Sequence, residues 1–444
     1  MLEKKVDCQQ NLSISDLSPG AAVMVLYCAW EDDEVVQVPT LSVFAPARSR
    51  MRPGRPNAYN VWLPLPAKER GMSRNVVSMA VAFLVAPLIF AQNPPQAGAG
   101  KLPGNLTGAF TFIPGSAVEK VQEAIAGGRP NDSPVRMVDI ANRFRLGVYT
   151  LNSPPSQPPA PGAPVMGFYH NDIAEVYIVA SGAGTWRVGG ELQNPKVDDV
   201  SGRSVKEVRG PGVVGVLKGY TDQKIFAGDV LIVPPGVPHS PGPMSERTKI
   251  IRVVIDPHKV LPLFPPPGEP SATRLPAAPA RPAPRLPGTF TYIPKAEIDK
   301  TLKETETPGT YGDRAVRTVD LPAIHFRIGI YVIHRATASA QAPSTGWYHT
   351  RISEIYYVMR GAGTFLAGGT LANPTADPPG SYSTKFVRGP SVSGTFQGVT
   401  EQKIEAGDLL IAPIGVPHVT GRTTEAPRDI LRIALDPDRV LPLK

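Results

Sequence analysis

The chain has 444 residues, with 46 Lys+Arg against 38 Asp+Glu and 42% hydrophobic residues, enough for two to four domains of about 100–200 residues each. Only 19% of residues are charged, which excludes a highly charged disordered chain. The 51 prolines and 42 glycines exclude long helices as the main element, because proline removes a backbone donor and clashes with the preceding turn. A net charge of +8 is a mild bias towards anionic partners. No basic stripe interleaved with aromatics is present, so nucleic-acid binding is not expected.

In chain order, residues 1–71 balance their charges and contain both cysteines, Cys8 and Cys28. From Met72 the sequence reads MSRNVVSMAVAFLVAPLIFAQNPP: a basic Arg74, an apolar stretch over 76–90, then Ala91 and a polar segment. This is the order of a secretory signal peptide, expected at 72–91 with cleavage after Ala91. The apolar stretch falls short of the roughly 20 residues a membrane span needs, so no stable span is expected in the mature chain. A signal peptide belongs at the N-terminus, so 1–71 reads as a doubtful upstream segment, with translation starting at Met72. The competing reading is a signal anchor that keeps the basic 48–74 region inside the cell. A secreted or periplasmic protein without cysteine follows from the first reading, and thiolate metal sites are then excluded.

A short linker, 92–101, leads into the clearest feature of the sequence, an internal repeat. LTGAFTFIP at 106–114 returns as LPGTFTYIP at 286–294. HNDIAEVYIVASGAGTW at 170–186 returns as HTRISEIYYVMRGAGTF at 349–365, an offset of 179, and FAGDVLIVPPGVPH at 226–239 returns as EAGDLLIAPIGVPH at 405–418 with the same offset. Two copies of one domain are therefore expected at 102–264 and 286–444, joined by a Pro/Ala-rich linker at 265–285. Within each copy, β-branched and aromatic runs end at glycine or open at Gly-Asp turns. One helix per copy is expected, at 116–126 and 295–303. Short strands, few helices and repeated Gly/Pro turns imply an all-β sandwich or barrel.

These residues resemble the cupin superfamily, whose two motifs are G-x5-H-x-H-x(3,4)-E-x6-G and G-x5-P-x-G-x2-H-x3-N. In the first copy Gly162, His170, Glu175 and Gly182 fit the first motif, and Gly228, Pro234, Gly236 and His239 fit the second. The second copy offers His349, Glu354 and Gly361, then Gly407, Pro413, Gly415 and His418. The chain is thus similar to a secreted bicupin, which implies two tandem jelly-roll barrels, each with a short helix near its start. Phe168 and Trp347 stand where the family's first histidine stands, and Pro243 and Arg422 replace the terminal asparagine of the second motif.

The resemblance implies a divalent metal at His170, Glu175 and His239, and another at His349, Glu354 and His418. Two imidazoles and a carboxylate suit zinc with an open position or an iron-type facial triad. Zinc, manganese, copper and iron stay open, with ferrous iron disfavoured if metal is acquired outside the cytoplasm. The alternative is a polar pocket whose members bond to one another without an ion. Strand alternation turns Phe168 and Trp347 towards the same interior as His170 and His349, as pocket-lining aromatics. Arg252 and Arg432 are expected to form structural ion pairs, and Gln223 and Gln402 are placed either at the pocket or in a sheet contact. His258, His325 and His334 are expected to be solvated or capped, outside any shared site.

The functional expectation is a metal-dependent enzyme of decarboxylase, dioxygenase or isomerase type, acting on a small organic acid or sugar derivative. Its counterpart is a non-catalytic ligand-binding or storage-type bicupin. A small, anionic ligand is the expected partner, and a homo-oligomer is left open.

Overall fold

The computed structural model describes residues 8–11 and 25–28 as backbone, and residues 110–264, 289–306 and 312–444 in full. The signal segment 72–91, the linker 92–101 and the joining linker 265–285 lie outside the described residues, as does most of 1–71. The chain divides between Ala91 and Gln92 into two compact units. In the first, Cys8–Asn11 pairs antiparallel with Val25–Cys28. The second holds both repeats.

The all-β, cupin-type jelly roll expected from the sequence is what each repeat forms. In the first repeat two six-stranded antiparallel sheets face one another. One contains Met166–His170, Ala183–Val188 and His239–Met244; the other contains Phe144–Ser153, Ala174–Ser181 and Thr248–Asp256. In the second repeat the long strands Ser353–Ala367 and His418–Asp436 run through both layers, so its strands form one connected sheet.

The motif glycines turn the chain from one layer to the other. Gly182 has φ +87° and Gly361 φ +74°, a region that L side chains rarely adopt. A Cβ at either would also lie 2.4 Å from the Arg247 carbonyl oxygen or 2.5 Å from that of Pro427.

Strands such as Phe144–Ser153 are buried along their whole length, because both faces are covered. Their inward residues, Leu151, Tyr177, Val179 and Ile250 among them, fill the first barrel. Their outward residues Val148, Val176, Ile251 and Val253 join Ile330, Val332, Leu431 and Ile433 of the second repeat in one continuous core. Full burial of each such side chain stabilises by about 1.5–3 kcal/mol. This is why the sequence shows apolar runs here and not clean alternation.

The helices form at Gly115–Ala126 and Lys295–Thr305. Val118, Val121, Gln122 and Ile125 repeat at helical spacing and lie buried. The repeats also exchange their opening strands: Thr111–Ile113 pairs with Leu409–Ala412 of the second repeat, and Thr291–Ile293 with Val230–Val233 of the first.

The Gly-Asp turns seal this exchange. The Asp408 carboxylate accepts from the Gly115 N–H at 2.7 Å, and Asp229 accepts from the Lys295 N–H at 2.8 Å. Each acidic turn of one repeat therefore caps the helix N-terminus of the other, where unpaired N–H groups and the helix dipole favour negative charge.

Candidate metal centres

Phe168 and His170 stand two residues apart on Met166–His170 and so face the same way. Phe168 is also the register partner of His239, the first residue of its strand. Glu175 reaches in from the facing sheet, on Ala174–Ser181. His170 Nε2 lies 3.1 Å from Glu175 Oε1, and His239 Nε2 lies 3.1 Å from Glu175 Oε2. In the second repeat His349 Nε2 and His418 Nε2 lie 3.1 and 3.0 Å from Glu354 Oε2. Within each trio the donor atoms are all within 4.8 Å of one another, and all six residues are buried.

The aromatic residues stand at the edge of each trio. The Phe168 ring lies 4.6 Å from the His239 ring and 5.4 Å from that of His170, and Trp347 lies 6.3 Å from His418. Both aromatics are only half-buried, so each centre approaches solvent on this side.

Register explains the rest of each centre. Arg252 lies opposite both Tyr149 and Tyr177 on neighbouring strands, so the three share the inward face. Arg252 Nη1 donates to Glu175 Oε1, while Nη2 donates to the Val208 carbonyl at 2.9 Å and lies 3.0 Å from Asp132. The Tyr177 hydroxyl donates to Glu175 Oε2 at 2.7 Å. Arg432, Val387, Asp313 and Tyr356 repeat the pattern around Glu354. The expected ion pairing of Arg252 and Arg432 is thus made with the trio's own glutamates.

Burial alone would raise the Glu175 and Glu354 carboxyls, but the adjacent histidine and arginine outweigh it and hold both well below the usual range. Burial pushes His170 down to about 4 against the pull of Glu175, and it lowers His349 as well. Both imidazoles are therefore neutral at ordinary pH, the state in which histidine binds metal.

The proton positions bear on the fit of a metal. His239 Nδ1 lies 2.9 Å from the Val237 carbonyl and His418 Nδ1 lies 2.8 Å from that of Val416. A carbonyl only accepts, so Nδ1 carries the proton and, in the neutral ring, Nε2 presents a bare lone pair. Nε2 faces the carboxylate at 3.0–3.1 Å, so a positive charge must lie between the two, carried either by a second ring proton or by a bound ion. In addition, the Nε2 atoms of His170, His239 and His349 are buried without a hydrogen-bond partner. The donor set fits a divalent ion.

Several other residues settle elsewhere. Gln223 and Gln402 are half-buried, opposite the buried Trp186 and Phe365, and donate to the adjacent Lys224 and Lys403 carbonyls at 2.8 Å, outside both trios. Their strands lie at a sheet edge, which leaves these amides to solvent and backbone. His334 departs from the expectation of a solvated residue: it is buried, with Nδ1 2.6 Å from Asp429, and it belongs to neither trio.

Sequence reasoning missed Arg209 and Arg388, whose guanidiniums lie 4.5 and 3.4 Å from the ring centres of Phe168 and Trp347. The signal was present as Val-Arg-Gly-Pro at 208–211 and again at 387–390.

No protein-family model matches the chain, and no curated protein does. Among solved structures it is similar to the salicylate 1,2-dioxygenase of Pseudaminobacter salicylatoxidans, at 14% identity over 76% of this chain and 88% of that one, with a TM-score of 0.41. It is also similar to the oxalate decarboxylase of Bacillus subtilis, at 13% identity over 70% and 74% with a TM-score of 0.34. A third likeness is to the Lactobacillus farciminis oxalate decarboxylase solved with formate, at 13% over 69% and 82%, with a TM-score of 0.34.

Proposed function

We propose that each trio holds one divalent transition-metal ion and that the protein is an exported, metal-dependent enzyme acting on a small organic acid or sugar derivative. The observation that carries this reading is the convergence of two imidazoles and a carboxylate, all buried and within 4.8 Å of one another, in both repeats. A bound divalent ion would act as a Lewis acid on a carboxylate or carbonyl oxygen, or would acidify water.

The chain's own residues have distinct parts. His170, His239 and Glu175 would hold the ion in the first repeat, and His349, His418 and Glu354 in the second. The Val237 and Val416 carbonyls fix the tautomer of His239 and His418. Tyr177 and Arg252 bond the Glu175 carboxylate and fix its orientation. Phe168 and Trp347 stand where the motif would place a further ligand and line the solvent-facing side of each trio. Decarboxylation, dioxygenation and isomerisation are the reaction classes the motif resemblance brings with it.

A second reading, a non-catalytic binding or storage protein, is favoured by one observation: Glu175 and Glu354 already have guanidinium partners, so their charge is compensated without metal. Elemental analysis of protein purified without chelators separates the two. About two equivalents are expected, with His239→Ala and His418→Ala each losing one and His258→Ala losing none. A content near zero, or equal loss in all three variants, overturns the metal reading.

A further inference from the structure

Each centre has a second guanidinium that the trio does not use. Arg209 ends the π-helical turn Ser204–Arg209, and Arg388 ends Ser383–Arg388. Each lies over the aromatic that borders its trio. These rings and arginines form one partly exposed edge of each cluster, as Asp132 and Asp313 do elsewhere.

Charge says what kind of molecule is welcome there. Around the first trio, Glu175, Asp132 and Asp198 stand against Arg252 and Arg209; around the second, Glu354, Asp313 and Asp377 stand against Arg432 and Arg388. Arg203 and Arg335 also face Asp132 and Asp313, so the carboxylates of each group are matched by guanidiniums, and a divalent ion would add positive charge that suits a carboxylate.

The two arginines are not equally free. Arg209 Nη2 is held by Asp198 at 2.6 Å. Arg388 Nη1 is 4.0 Å from Asp377, beyond hydrogen-bond reach, and that aspartate accepts the Ser393 hydroxyl at 2.6 Å instead. The Nε of each arginine is buried without a hydrogen-bond partner, so the two differ only in the acidic contact at Nη. A guanidinium keeps its planar fork of donors for a carboxylate only when no acidic neighbour already fills it.

We propose that Arg388 is the positioning residue by which the second centre recognises the carboxylate of an anionic ligand, and that Arg209, closed by Asp198, does so weakly in the first. This rests on the metal reading above. The two repeats then differ in ligand selection while sharing one metal chemistry.

The test uses the full unit loaded with zinc and titrated with acetate and, as its neutral counterpart, acetamide. Arg388→Met should weaken acetate at least tenfold and leave acetamide within twofold, while Arg388→Lys, which keeps the charge, should recover acetate to within about threefold of the parent. Arg209→Met should change acetate less than threefold. Acetate affinity unchanged in Arg388→Met, or acetate and acetamide falling together, would overturn the assignment. Metal content of the same samples separates the two claims. Two equivalents of zinc with no acetate effect sinks only the role of Arg388, whereas a parent protein that binds no zinc sinks the metal reading.

Discussion

Replacing Arg252 by methionine separates the two charges that can compensate Glu175. The guanidinium and the carboxylate are 1% and 0% exposed, so the variant leaves a buried anion whose nearest full cation is gone. Removing one partner of a buried ion pair costs about 3–5 kcal/mol, and methionine fills most of the vacated volume, which keeps the cavity contribution small. For a cooperative unit spanning Gln92–Lys444, at about 2.1 cal/mol/K of unfolding entropy per residue, this is a fall in melting temperature of about 4–7 °C. That fall is expected in chelator. With saturating zinc or manganese the ion supplies the missing positive charge, so at least half of the loss should be recovered. Metal affinity should rise at least tenfold, because a competing cation has been removed. Arg432→Met should behave alike through Glu354. Adding Glu175→Gln to Arg252→Met should restore part of the chelator-state stability, since the fully buried carboxylate is then gone and only the half-buried Asp132 has lost its partner. Differential scanning calorimetry with and without metal reads all of these. An equal fall in chelator and in metal would show that the ion does not sit on Glu175, and no fall in either would show that the carboxylate needs no partner.

Two further outcomes are expected. Burial pushes the His170 imidazole down to about 4 and lowers His349. The same depression makes the metal-free fold acid-sensitive. The unfolded chain takes up the His170 proton near 6.5 and the folded one only near 4, so this contribution, about 3 kcal/mol, is complete above pH 6.5 and lost as pH falls towards 4. The Asp132 carboxyl, pushed up to about 6 by burial, acts in the opposite sense over the same window, so the His170 ring is followed directly by NMR in the metal-free protein, and titration near 6.5 would refute the buried neutral state. N-terminal sequencing of the exported product should begin at or near Gln92, and recovery of residues 1–71 in that product would overturn the start at Met72.

What the sequence revealed and what it hid have different physical origins. The trio was legible because its spacing within each repeat is short and repeats at one offset, and strand alternation then placed Phe168 beside the histidines. The partnership of Arg252 with Glu175 depends on the register of two strands 77 residues apart, which no local pattern encodes. The same holds for the strand exchange and for Asp408 capping a helix 293 residues away: a Gly-Asp turn reads as a turn whatever its carboxylate meets. Gln223 and Gln402 were ambiguous because alternation gives a face only once it is known whether the strand lies at an edge.

The shared core also explains where the two repeats differ. Outward residues of both barrels pack into one cluster, so a change of volume there is felt by both repeats at once, and close-packed interiors transmit it. The mouths of the barrels are private to each repeat. There Arg203 and Glu207 form an ion pair in the first repeat, where the second has the ring pair of Tyr382 and Phe386 at 5.2 Å. There too Asp198 grips its arginine and Asp377 does not. A duplicated barrel held together through its outer faces is thus constrained in its core and in its buried trio, and free at the segment that covers each centre. Divergence at that segment changes the groups that border each trio, while the trio itself is the same three residues in both repeats.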